Sequence, residues 1–167
     1  MTIESKGNAT IWGMFVGDNG DQLEIFNSKK GPFPPEVGTE GMIAMGWPAI
    51  GDLRMYANNY LDYVEKFQKL YSKPDESEQA FKRKANMPWN FAFTIKIGDW
   101  VICPASSLGI MMIGSIIGDY EEDFHDGTGL YGRRRADFVH TRKVRWEQVI
   151  NESDAIYSKL NRIGQLT

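Results

Sequence analysis

The sequence predicts an α+β fold. About six short strands form a curved antiparallel or mixed sheet that closes into a small barrel, with a helical insertion and flanking helices. Three observations predict it. Short apolar, β-branched and aromatic runs recur between glycine- and proline-rich turns, the pattern of strands. A single long stretch, 52–93, changes to spacings of three and four, the helical period. The strands come in two groups, three before that stretch and three after it, which places the helices at one side of one sheet.

Thr10–Val16 reads as the first strand, and Gly17-Asp18-Asn19-Gly20-Asp21 as the turn that returns Gln22–Phe26 as the second. Gly31-Pro32-Phe33-Pro34-Pro35 is too rich in proline to stay in a ladder, so 27–40 is a loop. Met42–Met45 is a short apolar strand. Asp52 or a neighbour caps a helix in which Leu53, Tyr56, Tyr60, Tyr63, Val64, Phe67, Leu70 and Tyr71 recur with helical spacing. Pro74 ends it. Asp75 with Glu78 resembles a capping box for a second helix, about 76–86, which Pro88 interrupts. Strands Trp100–Cys103 and Ile110–Ile117 follow, joined by Pro104-Ala105-Ser106-Ser107, and the turn before them is Gly98-Asp99, shaped by the Asp99 side chain. An acidic loop spans 119–128. In the last strand, Val139–Trp146, the residues Val139, Thr141, Lys143 and Arg145 share one face, and His140, Arg142, Val144 and Trp146 the other. A terminal helix is expected at 152–163.

The chain has 167 residues, 42% of them hydrophobic, which suits one domain over 1–167 with a substantial core. A net charge of −3 gives no global attraction to nucleic acid, so any phosphate contact must come from a local patch. A single cysteine, Cys103, excludes an internal disulfide and a cysteine zinc site. His125 and His140, the two histidines, have no partner at nucleophile or zinc spacing, and phosphate-loop and dinucleotide fingerprints are absent. No metal, no cofactor and no catalytic residue is therefore expected. No apolar run reaches the length of a membrane span and Met1–Thr10 shows no signal-peptide core, so a cytoplasmic location without membrane partners is expected.

The residues with most to say about function surround Gly46-Trp47-Pro48, where a strand gives way to helix. A tryptophan fixed at such a junction offers a flat apolar wall, and Pro48 tends to keep Trp47 out of the helical region. The small-residue loop can add the Ser106 and Ser107 hydroxyls as hydrogen-bonding groups. Together these suit a pocket for a planar ring. Trp12 and Trp89 are candidates for further walls, each with a core reading favoured, and Tyr120 for the rim. Trp100 and Trp146 lie inside strands and read as structural. Arg133, Arg134 and Arg135, with Arg142, Lys143 and Arg145, form the one dense basic cluster, and arginine suits bidentate phosphate contact. The alternative reading of that cluster is a solvated face balanced by Glu121, Glu122, Asp123 and Asp126.

Several of these phrases are similar to the PUA-like superfamily, and within it to the EVE and YTH-type modified-base readers. They are Gly46-Trp47 before the helix, Lys96-Ile97-Gly98-Asp99-Trp100-Val101, Pro104-Ala105-Ser106-Ser107, Met112–Tyr120 and His140–Trp146. The likeness covers about 40–148 and is nearest to the N-terminal sensor modules of modification-dependent restriction endonucleases of the Mrr and McrB kind. It implies a PUA-like barrel that accepts a base flipped from a duplex, stacks it on aromatics and reads its edge. The implied partners are DNA with a modified base and a nuclease domain or subunit of a restriction or defence system. The chain departs from EVE domains in its insertion, 52–93, and in lacking a close match to their arginine-asparagine motif. An RNA-binding PUA-like module, an enzyme acting on a small nucleotide or peptide through His125 and the acidic loop, and a protein-interaction module remain the alternatives.

Overall fold

The structure, a computed structural model, describes residues 9–17, 20, 27, 33–122 and 138–164, the last four by backbone alone. The expected strand Gln22–Phe26, most of the acidic loop and Arg133, Arg134 and Arg135 lie outside the described residues. The chain divides into two compact units. One, the sheet unit, takes Met1–Ile43, Lys96–Gly118 and Lys143–Thr167; the other, the helical unit, takes Ala44–Ile95 and Asp119–Arg142.

The strands are β1 (Ile11–Gly13), β2 (Glu40–Met45), β3 (Trp100–Ala105), β4 (Ile110–Ile116), β5 (Glu121–Glu122) and β6 (His140–Asn151). They pair in the order β1-β3-β4-β6-β2, with β5 beside the start of β6. β1 runs parallel to β3, while β3–β4, β4–β6 and β5–β6 are antiparallel. This is an α+β fold with a mixed sheet, as the sequence suggests. The sheet is open, however, and the closed barrel is corrected: among the described residues β1 and β2 end the hydrogen-bonded path. Closing a barrel needs a continuous staggered ladder around its circumference, and β1 has three residues to offer.

In the sheet unit the core gathers Ile102, Met111 and Ile150, and Tyr157 and Leu160 of the terminal helix α3 (Tyr157–Gly164) pack against it. The register of β4 on β6 shifts between Ile113 and Gly114. There the Trp146 ring crosses so close that a Cβ on Gly114 would lie 2.9 Å from Trp146 Cε3. At the turn before β3, Asp99 accepts hydrogen bonds from Lys96 N (3.0 Å), Thr10 N (3.0 Å) and Trp12 Nε1 (2.9 Å). Burial pushes this carboxyl upward, but those donors outweigh it and hold its pKa below the ordinary value. Cys103 is buried, and burial pushes its thiol pKa up, which fits a small core hydrophobe.

The helical unit holds α1 (Tyr60–Tyr71) and α2 (Glu78–Trp89). α1 starts later than its periodicity suggests. Asp52 caps a 3₁₀ turn, Leu53–Tyr56, and Asn59 then caps α1 by accepting from Asp62 N. Ser77, rather than Asp75, caps α2. Pro88 does not break α2; the helix continues to Trp89 and widens into a π turn, Asn90–Thr94, closed by Ile95 N on Asn90 O at 2.9 Å. Tyr63 and Phe67 of α1 are fully buried, and Tyr63 Oη donates to Ala85 O at 2.6 Å, tying α1 to α2. Among the described residues no helix is long and apolar enough to cross a membrane.

Candidate functional site

Trp47 lies in the helical unit, between the end of β2 and a 3₁₀ turn, Pro48–Ile50. Its backbone is left-handed, at φ 64° and ψ 53°. Pro48 disfavours the right-handed region for the residue before it, and here the outcome is left-handed instead of extended. A bulky residue in that region carries strain of about 1–2 kcal/mol. The surroundings must therefore hold it. Trp47 is the one described non-glycine residue with positive φ.

Its carbonyl accepts from Ile50 N at 3.3 Å and meets His140 Nε2, also at 3.3 Å. His140 Nδ1 stands 2.7 Å from Tyr120 Oη, which in turn accepts from Leu53 N at 3.3 Å. A carbonyl oxygen only accepts, so Nε2 carries the hydrogen and Nδ1 accepts from the Tyr120 hydroxyl. This assigns one neutral tautomer and directs a chain of bonds from Leu53 through Tyr120 and His140 to Trp47. His140 is fully buried, and burial pushes its pKa down to about 4, against the pull of the Trp47 carbonyl and Asp52. The ring is accordingly neutral near neutral pH. Arg54, paired with Asp52 at 2.6 Å, places its guanidinium 5.9 Å from the centre of the Tyr120 ring.

Trp47, a partly exposed residue, meets Phe67 at 6.1 Å between ring centroids. From Phe67 the aromatic contacts continue to Tyr63 at 5.6 Å and to Tyr71 at 4.8 Å, and from Tyr63 to Trp89 at 5.2 Å. Trp89 also packs on Tyr60 and Phe93. The unit thus brings together Gly46, Trp47, Trp89 and Tyr120 of the candidates chosen from sequence. A groove of about 320 Å³ elsewhere on this unit is lined by Gln68, Ser72, Lys73, Glu76, Glu78 and Phe81. Its carboxylates are already occupied, Glu76 with Lys84 at 2.7 Å and Glu78 with Lys82 at 2.6 Å.

Four other candidates belong to the sheet unit. Trp12 donates its indole N–H to Asp99, which gives it a role in bracing that turn. Ser106 and Ser107 are exposed on a 3₁₀ turn, Ser106–Leu108, whose capping bond comes from Gly109 N to Ser106 O. Lys143 is exposed on β6. Arg142 is a correction. Grouped in sequence with the phosphate-binding arginines, it is 3% exposed and donates from Nε to Phe91 O (2.6 Å) and from Nη2 to Ala92 O (3.0 Å). The carbonyls at a helix C-terminus lack intrahelical partners, and a guanidinium is well suited to satisfy them. Arg142 is a helix cap here, not a phosphate contact.

Sequence reasoning passed over His140 as a partner of Trp47. The signal for His140 was present: it alternates with Arg142, Val144 and Trp146 on the face that proves buried. Its contact to Trp47 spans 93 residues, which no local pattern reveals.

The fold and site define an α+β domain with a mixed open sheet and an aromatic-rich helical unit. Residues 23–167 match a family described as a domain of unknown function, DUF8426, and the chain belongs to that family. No curated protein and no solved structure matches it.

Proposed function

We propose that this chain is a non-catalytic reader of nucleic acid that accepts a flipped, modified DNA base against Trp47. It serves as the cytoplasmic sensor of a restriction or defence system whose nuclease sits in another domain or subunit. The observation that carries the reading is Trp47 itself: a partly exposed residue with a strained left-handed backbone, its ring against Phe67 and its carbonyl engaged by a neutral histidine. Strain in a bulky residue persists where surrounding structure over-determines it, and such residues cluster at binding sites. An indole that is held among the described residues by ring packing suits stacking on a base, an interaction worth roughly 1–3 kcal/mol. The resemblance to modified-base readers supports the same reading, and under it the basic run Arg133–Arg135 supplies the phosphate contacts.

The test is a salt titration of binding to DNA duplexes with and without a modified base, with matched RNA as a further arm. Trp47→Ala should weaken binding to the modified duplex by roughly 1–3 kcal/mol, while the protein still melts cooperatively and the salt slope stays intact. Neutralising Arg133, Arg134 and Arg135 should weaken binding to all duplexes and flatten the slope of log affinity against log salt by about 0.9 for each phosphate no longer neutralised. Unchanged binding by Trp47→Ala, or tighter binding to RNA than to any DNA, would defeat the proposal.

A further inference from the structure

We infer that Tyr120 and His140 form a latch on Trp47: the imidazole holds the Trp47 carbonyl, and with it the left-handed backbone that keeps the indole against Phe67. Both are positioning residues. Each is buried, Tyr120 at 6% exposure and His140 at 0%, so neither meets the base. What the held ring is for rests on the base-reading proposal above; the latch itself does not.

The left-handed state of Trp47 has a less strained rival. A residue before proline ordinarily takes the extended region, and left-handed backbone is unfavourable for any residue larger than glycine. Trp47 nevertheless sits at φ 64° and ψ 53°. In this state its carbonyl meets two donors, Ile50 N and His140 Nε2, each at 3.3 Å, and its ring meets Phe67. In the extended state the carbonyl turns away from both donors, and the reversal of φ redirects Cβ and the ring with it. One hydrogen bond and one left-handed residue are of similar size in free energy. The Ile50 contact is local to the 3₁₀ turn. The His140 contact is the one that a distant part of the chain supplies, and it tips the balance.

The imidazole can do this because it is fixed in turn. Tyr120 Oη lies 2.7 Å from His140 Nδ1 and accepts from Leu53 N at 3.3 Å. By donating to Nδ1 the hydroxyl leaves the ring hydrogen on Nε2, facing the Trp47 carbonyl. The bonded chain therefore starts at Leu53 and ends at Trp47. It clasps the segment 47–53 at both ends, and every member belongs to the helical unit. Strain of this kind persists where the surroundings over-determine it, and the clasp is such a surrounding.

The experiment reads the backbone carbon shifts of Trp47 by NMR, which differ between left-handed and extended residues, in the full chain and three variants. His140→Leu should move them towards extended values. His140→Gln, whose amide supplies an N–H in place of Nε2, should keep them near those of the unaltered protein. Tyr120→Phe, which removes the hydroxyl alone, should move them part of the way. In the unaltered protein the ring hydrogen should be found on Nε2. Left-handed shifts in all three variants, or a hydrogen on Nδ1, overturn the latch. So does a His140→Gln variant that moves as far as His140→Leu, since the donor would then not matter. Should the His140 variants fail to fold, Tyr120→Phe decides alone, and unmoved shifts in it overturn the latch. In the duplex titration above, Tyr120→Phe should bind the modified duplex about three- to tenfold more weakly, because the stacking state becomes a fraction of the population, with its salt slope intact. Moved shifts with undiminished binding overturn the positioning role. If the unaltered protein binds no duplex, the base-reading proposal fails, and the carbon shifts alone judge the latch.

Discussion

The two units each bury a titratable side chain beside a turn, and they treat it in opposite ways. In the sheet unit Asp99 stays charged because three N–H donors converge on its carboxylate, two of them from backbone. In the helical unit His140 stays neutral because burial disfavours its charge and its two ring nitrogens have a hydroxyl and a carbonyl to bond. Asp99 holds an ordinary glycine turn, with Gly98 at φ 94°. His140 holds a tryptophan at φ 64°. The same kind of buried polar anchor thus stabilises a relaxed turn in one unit and a strained one in the other. Where the backbone is relaxed the polar groups close on themselves. Where it is strained, Trp47 is left partly exposed.

The largest effect that would break this contrast comes from removing the ring behind Trp47. Phe67 is fully buried and touches Trp47, Tyr63, Tyr71 and Phe81. Phe67→Ala should cost about 3–5 kcal/mol, the range for deleting a buried aromatic, read from urea midpoints. A cost under about 1 kcal/mol would mean that the aromatic contacts of the helical unit are not its core.

A smaller effect sharpens the comparison by pH. The folded pKa of His140, about 4, lies below its ordinary value of 6.5. The unfolded chain therefore takes up that proton first, so stability is fully present above 6.5 and is lost as pH falls towards 4. The loss amounts to at most roughly 3 kcal/mol. The Asp99 carboxyl is also held below its ordinary value, 3.8, so its contribution is present above that value and is lost only as pH falls further. Urea midpoints measured across pH should show these as two separate windows. His140→Leu should abolish the upper one and Asp99→Asn the lower one. An upper window that survives in His140→Leu would show that another group titrates there.

The smallest effect tests the strain itself. Trp47→Ala and Trp47→Gly both remove the ring that meets Phe67, but only glycine occupies positive φ without strain. Trp47→Gly should therefore be more stable than Trp47→Ala by about 1 kcal/mol, the reverse of the order expected within a helix or strand. Equal melting temperatures would mean that the turn relaxes once the ring is gone.

Much of this architecture is legible locally. Tyr63 and Phe67 announce their helix by spacing, and the runs around Val101 and Met111 announce strands by composition. The Gly46-Trp47-Pro48 junction stands out because a proline restricts the residue before it. Other features escaped for physical reasons. Asp52 and Asn59 are both good caps, and nothing local says which one starts the long helix. Pro88 lies inside the second helix, which runs on to Trp89 and then into a π turn. Arg142 sits in a basic run, yet its guanidinium serves two carbonyls about fifty residues away in sequence.

By itself the sequence determined the α+β class, the helical character of 52–93, and the presence of a tryptophan at a junction where ordinary helix cannot continue. These follow from side-chain periodicity and from the restricted torsions of proline and its neighbour, which act within a few residues. Only the tertiary structure decided that the sheet stays open, that Arg142 caps a helix, and that His140 is neutral. Each of these depends on which distant groups meet once water is excluded. A buried hydrogen bond or a desolvated ring is a property of a place in the fold, and the residues that make that place are far apart in the chain.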